Sequence, residues 1–134
     1  MAATMQVEVV SAESHVLSGD VRELYARSVE GEIGILPGHQ PAVIALDIGP
    51  VKLVMEDGSR EFVAVHRGVL YVDKGSKVIV LADLAELGSA VDVKRAEARK
   101  ADLERRLAED DDPSLRSSLR KQDLRLQVAR MRES

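Results

Sequence analysis

Between Met5 and Leu81 the sequence consists of short apolar stretches that turn residues interrupt at close intervals. Several of these stretches alternate apolar and polar side chains, and no helical period runs through them. The strongest local signal is Asp57-Gly58, which lies between two alternating runs and is typical of a tight β-hairpin. Short, closely spaced strands of this kind predict an all-β sandwich or barrel, here of about ten strands.

The pattern changes after Ala82, and from Asp92 the chain is rich in alanine, arginine and glutamate. Asp92 is well placed to cap a helix, and the acids at 109–112 end it because they oppose the helix dipole. Asp112-Pro113 then starts a second helix. The predicted fold class is therefore mainly β plus α, with a β-sandwich over residues 1–87 and an antiparallel two-helix hairpin over residues 88–134.

Apolar positions mark the surfaces of the two predicted helices that should be buried. In the first helix Ala96, Leu103 and Leu107 form one stripe. The apolar positions of the second helix are Leu115, Leu119, Leu124, Val128 and Met131.

Composition excludes several classes of function. The chain has no cysteine, one phenylalanine, two tyrosines, no tryptophan and a net charge of −4. Disulfides and thiolate metal sites are therefore impossible. The small number of aromatic residues and the negative net charge argue against a nucleic-acid partner. No apolar run approaches the roughly 18 residues of a membrane span, and no secretory leader is evident, so we expect no direct membrane insertion.

Charge is divided unevenly along the chain. Residues 113–134 carry a net charge of +4, which leaves −8 for the rest. A basic helix on an acidic body favours an acidic partner or an anion, although a solvated helix face would have the same composition.

The sequence contains no recognisable catalytic constellation. His15, His39 and His66 are too scattered to predict a metal site, and no serine lies in a nucleophile elbow. We therefore expect a non-catalytic protein without a metal.

Residues 30–41 read EGEIGILPGHQP and combine glycine and proline turns with two acids and a histidine. A loop held this tightly favours a docking surface, although it could equally be a plain corner between strands.

Four stretches together closely resemble the epsilon subunits of bacterial F-type ATP synthases. They are VEVVSAESHVLSGDV near the start, ARSVEGEIGILPGHQPAV in the centre, GVLYVDKGSKVIVLAD, and VDVKRAEA at the first helix. The resemblance covers essentially the whole chain. It implies a non-catalytic subunit of the central stalk, held at the cytoplasmic side of a bacterial cell membrane, that helps to couple proton flow to ATP synthesis.

The resemblance also implies partners and contact residues. The sandwich would bind the gamma subunit and the c-subunit ring, with Glu30, Glu32 and His39 at the ring. The hairpin would rise along gamma and inhibit ATP hydrolysis by contacting the beta and alpha subunits. The residues implied for that inhibitory contact are Arg116, Arg120, Lys121 and Arg125.

Some family members bind ATP as a regulatory ligand when the hairpin lies on the sandwich, and no cofactor is otherwise required. The candidate ATP-binding residues are Glu86, Asp92, Arg95, Lys121 and Arg125, and all of these except Lys121 match the motif of those members, as does Ala96. Asp102 and Lys121 stand where the ATP-binding members tend to have arginine. An aspartate repels triphosphate and lysine lacks a bidentate fork, so these departures predict weak binding of ATP or none.

A different class of function would also account for the charge division. In that alternative the chain is a stand-alone adaptor, whose β-sandwich is a scaffold and whose basic hairpin recruits an acidic protein. Co-purification with gamma and the c ring separates the two hypotheses.

Overall fold

A computed structural model describes residues 3–133, which form six strands, a 3-10 turn and two helices. The strands are β1 (Met5–Ser11), β2 (His15–Ser28), β3 (Gly31–Ile35), β4 (Ala42–Met55), β5 (Arg60–Val72) and β6 (Lys77–Leu87). The 3-10 turn spans Gly88–Ala90, and the helices are α1 (Val93–Glu109) and α2 (Pro113–Glu133). The predicted fold class, a β-sandwich followed by a two-helix hairpin, is confirmed.

The strands follow the order β1-β6-β5-β4-β2-β3, and β1 also pairs with β2, which closes the sheet on itself. Pairing is antiparallel throughout except between β1 and β6, which run parallel. β2 makes the closure possible because its first half pairs with β1 and its second half with β3 and β4. Closure leaves one face of the strands directed at a common interior, while the other face carries the hairpin or meets solvent.

The strands are fewer and longer than the sequence predicts. Residues 18–20, 47–50 and 66–68 contain glycine or proline and have the composition of turns, but they lie inside continuous β2, β4 and β5. Gly68 shows why: a Cβ there would lie 2.2 Å from the backbone oxygen of Leu81 on β6. Such a glycine permits close approach of two strands, which the sequence pattern cannot distinguish from a turn. The hairpin at Asp57-Gly58 is confirmed, with Gly58 at φ 87° between β4 and β5.

The interior of the sandwich is aliphatic. Among its fully buried members are Val7, Leu24, Leu53, Val65 and Val80, which come from five different strands. Ser28 is a buried polar residue of the sandwich, and its hydroxyl donates to the backbone oxygen of Gly31 at 2.6 Å. A core shared by five strands fixes the sheet on which the hairpin lies.

Both helices begin as predicted. The Asp92 carboxylate accepts a hydrogen bond from the backbone N–H of Arg95 at 3.1 Å, and α1 ends at Glu109. The Asp112 carboxylate accepts a hydrogen bond from the backbone N–H of Ser114 at 2.9 Å, in the first turn of α2, which begins at Pro113. These side-chain acceptors satisfy N–H groups that have no partner inside the helix.

α2 is the middle layer of three, between the sheet and α1. Leu124 and Val128 face the sheet, where they pack with Phe62 and Ala64 of β5. Leu126 and Ala129 are also buried, and their positions lie on the opposite side of the helix. Because α1 contacts chiefly α2, that second face is covered by α1. The apolar positions predicted for α2 are therefore divided between its two faces: Leu124 and Val128 face the sheet, whereas Leu115 and Leu119 lie at helical spacing on the side of Leu126.

Candidate functional site

The hairpin lies on the sandwich through an apolar contact, which we call the hairpin cluster. It comprises the buried side chains of Phe62, Ala64, Leu124 and Val128, with Ile48, Val91 and Met131 at its margin. Next to it, Gly88 approaches α2 so closely that a Cβ would lie 2.9 Å from the backbone oxygen of Val128. The hairpin is thus held against the first half of β5, in the orientation in which the family resemblance places an ATP site.

Beside the hairpin cluster, a cavity of about 780 Å³ opens between β5, β6 and the two helices. All five residues predicted as candidate ATP ligands line this hairpin cavity: Glu86, Asp92, Arg95, Lys121 and Arg125. They come from β6, the turn that precedes α1, α1 itself and α2. The fold therefore brings together positions up to 39 residues apart in the sequence.

Two further lining residues escaped the sequence analysis. Arg99 follows Arg95 by one helical turn, so the i, i+4 spacing was the available signal. His66 projects from β5, opposite Leu84 of β6, and its place in the cavity depends on strand register that the sequence does not reveal. With Arg99 included, four cations and two carboxylates line the cavity, a net charge of +2 with His66 neutral.

The pKa of His66 lies below its usual value of 6.5. Burial is the main cause, and the positive charges of Arg67, Lys121 and Arg120 also lower the pKa. A hydrogen bond with its own backbone has the opposite, smaller effect. His66 is therefore held neutral where the hairpin covers it.

Asp102, expected to stand beside a bound triphosphate, is not among the residues that line the cavity in the described part of the chain. Its carboxylate instead pairs with Arg99 at 3.4 Å and with Arg105 at 3.2 Å on the same helix. Lys121, the other position where ATP-binding family members tend to have arginine, does line the cavity.

Arg125 makes the strongest polar contact between the hairpin and the sandwich. Its Nε donates to Oε1 of Glu86 at 2.7 Å and its Nη2 to Oε2 at 3.3 Å, a bidentate arrangement. A third nitrogen, Nη1, donates to Oε1 of Gln122 at 3.0 Å. The two charged side chains are only 19% and 32% exposed, so water competes weakly for this pair.

The four residues predicted for an inhibitory contact are divided by the docked hairpin. Arg116 and Arg120 are exposed, and Arg116 pairs with Asp111 at 3.3 Å. Lys121 and Arg125 are half-buried and line the cavity. In this arrangement only the first two are presented to a partner.

Two of the three residues predicted for a ring contact, Glu30 and Glu32, lie at the β2–β3 corner of the sandwich, whereas His39 lies beyond the other end of β3. Glu30 is in the tight turn between β2 and β3, Glu32 is on β3 opposite Arg27, and His39 follows the turn at Gly38. All three predicted side chains are exposed. β3 itself extends through half of the stretch that the sequence suggested was a loop.

Residues 3–133 contain no group of three His, Asp or Glu side chains arranged to hold a metal ion. None of the helices described is both long and apolar enough to span a membrane.

Residues 4–88 match the family model described as "ATP synthase, Delta/Epsilon chain, beta-sandwich domain". The ATP synthase epsilon chain of Streptomyces avermitilis is 39% identical over 133 residues, which cover 98% of this chain and 100% of that protein. The ATP synthase epsilon chain of Alkalihalophilus pseudofirmus is 46% identical over 105 residues, covering 78% of this chain and 77% of that protein.

A solved structure shares the fold over nearly the whole chain. A chain in "Cryo-EM structure of Euglena gracilis mitochondrial ATP synthase, OSCP/F1/c-ring in rotational state 1" matches with a TM-score of 0.75 and 18% identity, covering 96% of this chain and 82% of that one. From the family model and the full-length relative it follows that the chain belongs to the epsilon chains of ATP synthases, non-catalytic subunits of the central stalk.

Proposed function

We propose that this chain is a rotor subunit that helps to couple proton flow through the c ring to ATP synthesis, and that its hairpin inhibits ATP hydrolysis. The sandwich would hold the chain on gamma and the c ring, at the cytoplasmic face of the membrane. The hairpin would leave the sandwich to reach the beta and alpha subunits.

The observation that carries the docking role is apolar exposure around residues 30–41. Val29 and Val43 are 65% and 71% exposed on neighbouring segments beside the corner that carries Glu30 and Glu32, and Leu36, after the other end of β3, is 51% exposed. Large apolar side chains grouped at one site favour a protein contact, and neighbouring acids favour a partner with basic loops. This combination supports the corner as the footing on the c ring.

A charge reversal at Glu32 tests that footing. We expect Glu32→Lys to weaken assembly of the rotor, or to lower proton pumping driven by ATP, in membranes that contain the complete synthase. Glu13→Lys is the matched control, because Glu13 is exposed in the turn between β1 and β2. Normal assembly and pumping in the Glu32 variant would refute the ring contact.

The second half of β5 offers a surface for gamma. The hairpin covers only the first half of this strand, while Tyr71 is exposed beside its partners Val43 on β4 and Ile79 on β6. Leu81 is exposed on the same sheet, opposite Val69. We expect Leu81→Glu to reduce co-purification with gamma, whereas Val93→Glu, which places the same charge on the hairpin, should not.

The inhibitory role is supported by the basic surface of α2. Arginine pairs with two carboxylate oxygens at once, which suits a contact with an acidic segment of the beta subunit. We expect deletion of residues 113–134 to raise ATP hydrolysis by the assembled enzyme while assembly persists. Replacing the exposed Arg116 and Arg120 by glutamine should act in the same direction without removing a helix. Equal hydrolysis rates in all three enzymes would contradict the proposal.

The hairpin cavity supports weak binding of ATP as a regulatory ligand. Its net positive charge favours a polyphosphate, and Arg99 adds a guanidinium to the lining, which the carboxylate of Asp102 partly neutralises at 3.4 Å. The carboxylate of Glu86 opposes this, because it already occupies the fork of Arg125. Calorimetric titration of the purified chain with ATP should give binding in the millimolar range that Arg95→Ala abolishes. Tight binding, or binding that Arg95→Ala leaves intact, would refute this assignment.

A further inference from the structure

Glu86 and Arg125 form the ion pair that ties the sheet to the helices. The remaining ion pairs of the described residues all lie within the helical hairpin and its connecting loop. The hairpin cluster beside the pair is apolar and therefore non-directional. The Glu86–Arg125 pair adds a contact that depends on geometry.

This contact uses the full carboxylate and most of the guanidinium. Both oxygens of Glu86 accept from Arg125, and the third nitrogen of Arg125 is taken by Gln122. Three of the five N–H donors of Arg125 are engaged in this way, and the side chain is only 19% exposed. While the hairpin is docked, an external acid therefore has little access to Arg125, and the fork that faces the sheet belongs to Glu86.

We propose that Glu86 is an internal competitor for Arg125: it holds the hairpin on the sandwich by occupying the side chain that an acidic partner must capture. We call this pair the Glu86–Arg125 latch. The idea rests on the proposed inhibitory role of the hairpin and names its regulation. It makes release of the hairpin and exposure of Arg125 a single event, so that carboxylates of the partner replace the carboxylate of Glu86.

The latch predicts that substitutions of its two members have the same effect on release of the hairpin but opposite effects on inhibition of ATP hydrolysis. Glu86→Gln keeps the shape of the side chain but removes its charge, which frees Arg125 and favours the released hairpin. Arg125→Gln also opens the latch but removes the group that the partner would bind. Release should therefore increase in both variants, whereas inhibition of hydrolysis should increase only in the first.

The first experiment uses the purified full-length chain and hydrogen exchange of the α2 amides, with the amides of the sandwich as internal reference. In Glu86→Gln we expect the α2 amides to exchange about tenfold faster, the effect of losing one half-buried charged hydrogen-bonded contact. The double variant Glu86→Gln/Arg125→Gln should be no faster than the single ones, because both remove the same interaction.

Asp123→Asn is the matched control. It also converts an acid to its amide on an ion pair, but Asp123 pairs with Lys100 of α1 at 2.8 Å and not with the sheet. Exchange of the α2 amides should change less than in Glu86→Gln. If Glu86→Gln leaves α2 protection unchanged, or if Asp123→Asn has the same effect, the latch is refuted.

The second experiment measures ATP hydrolysis by the assembled enzyme that contains each variant. Stronger inhibition with Glu86→Gln and weaker inhibition with Arg125→Gln supports the whole inference. Faster α2 exchange without any change in hydrolysis supports the latch and refutes the inhibitory role of Arg125. The two failures are therefore separable.

Discussion

Gly88 allows the hairpin to be loosened without altering a charge or the sandwich core. This residue is buried in the 3-10 turn, and a Cβ there would lie 2.9 Å from the backbone oxygen of Val128 and 3.3 Å from that of Phe62. Its φ is not in the left-handed region, so alanine fits the backbone itself. The cost of Gly88→Ala is therefore steric and arises mainly against α2.

The free-energy cost of Gly88→Ala depends on which neighbour of the added methyl group can move. Phe62 belongs to a paired strand and needs to shift by only a few tenths of an ångström, whereas Val128 requires a larger movement of α2. Forcing one extra methyl group into a packed contact costs about 1–3 kcal/mol. That corresponds to a shift of about 5-fold to 150-fold in the ratio of released to docked hairpin.

Two other glycines make matched comparisons. Gly75→Ala meets only Asp73 Oδ1 at 3.6 Å and should be silent, whereas Gly68→Ala meets the backbone of β6 at 2.2 Å and should destabilise the whole sandwich. Hydrogen exchange and thermal unfolding separate the outcomes. Gly88→Ala should accelerate exchange in α2 while the melting temperature of the sandwich stays near that of Gly75→Ala. Unchanged α2 protection, or equal loss of protection in the sandwich strands, would show that this reasoning is wrong.

Three further perturbations test the docking of the hairpin and the stability of its first helix. Phe62→Ala removes a buried aromatic side chain from the hairpin cluster, at a typical cost of about 3–5 kcal/mol, and should release α2 in hydrogen exchange. Because burial lowers the pKa of His66, docking should weaken as the pH falls below 6.5, its usual value; His66→Gln should abolish this dependence in α2 exchange. Asp92→Ala removes the helix cap at Arg95 and should lower the stability of α1 by about 0.5–2 kcal/mol, measured by circular dichroism during denaturation; full retention of stability would contradict the cap.

Local signals in the sequence predicted the features that depend on local chemistry. Asp57-Gly58 and the two aspartate caps need only their neighbours, and the structure confirms each of them. The number of strands was wrong because Gly19, Gly49 and Gly68 resemble turn residues in the sequence. They lie inside strands where backbone or side chains of a neighbouring element come close.

The candidate site could be predicted in part. The family resemblance named five cavity residues, and the fold brings all five together. It did not name His66, because only strand register places that side chain under α2. Nor did the sequence analysis name Leu126 and Ala129, which are buried where α1 packs on the second face of α2.

The layered arrangement sets a condition on any surface that captures the hairpin. Because α1 is attached mainly through α2, a hairpin that left the sandwich would take both helices with it. Release would expose Leu124 and Val128, which are buried in the docked state, at a cost of about 1.5–3 kcal/mol for each side chain. It would also leave Glu86 and Arg125 without each other. A partner can shift the hairpin only by its difference in affinity for the two states, so charge complementarity alone is a weak means of release. The capturing surface must therefore offer an apolar strip beside its carboxylates, which matches the arrangement that β5 and Glu86 present to α2.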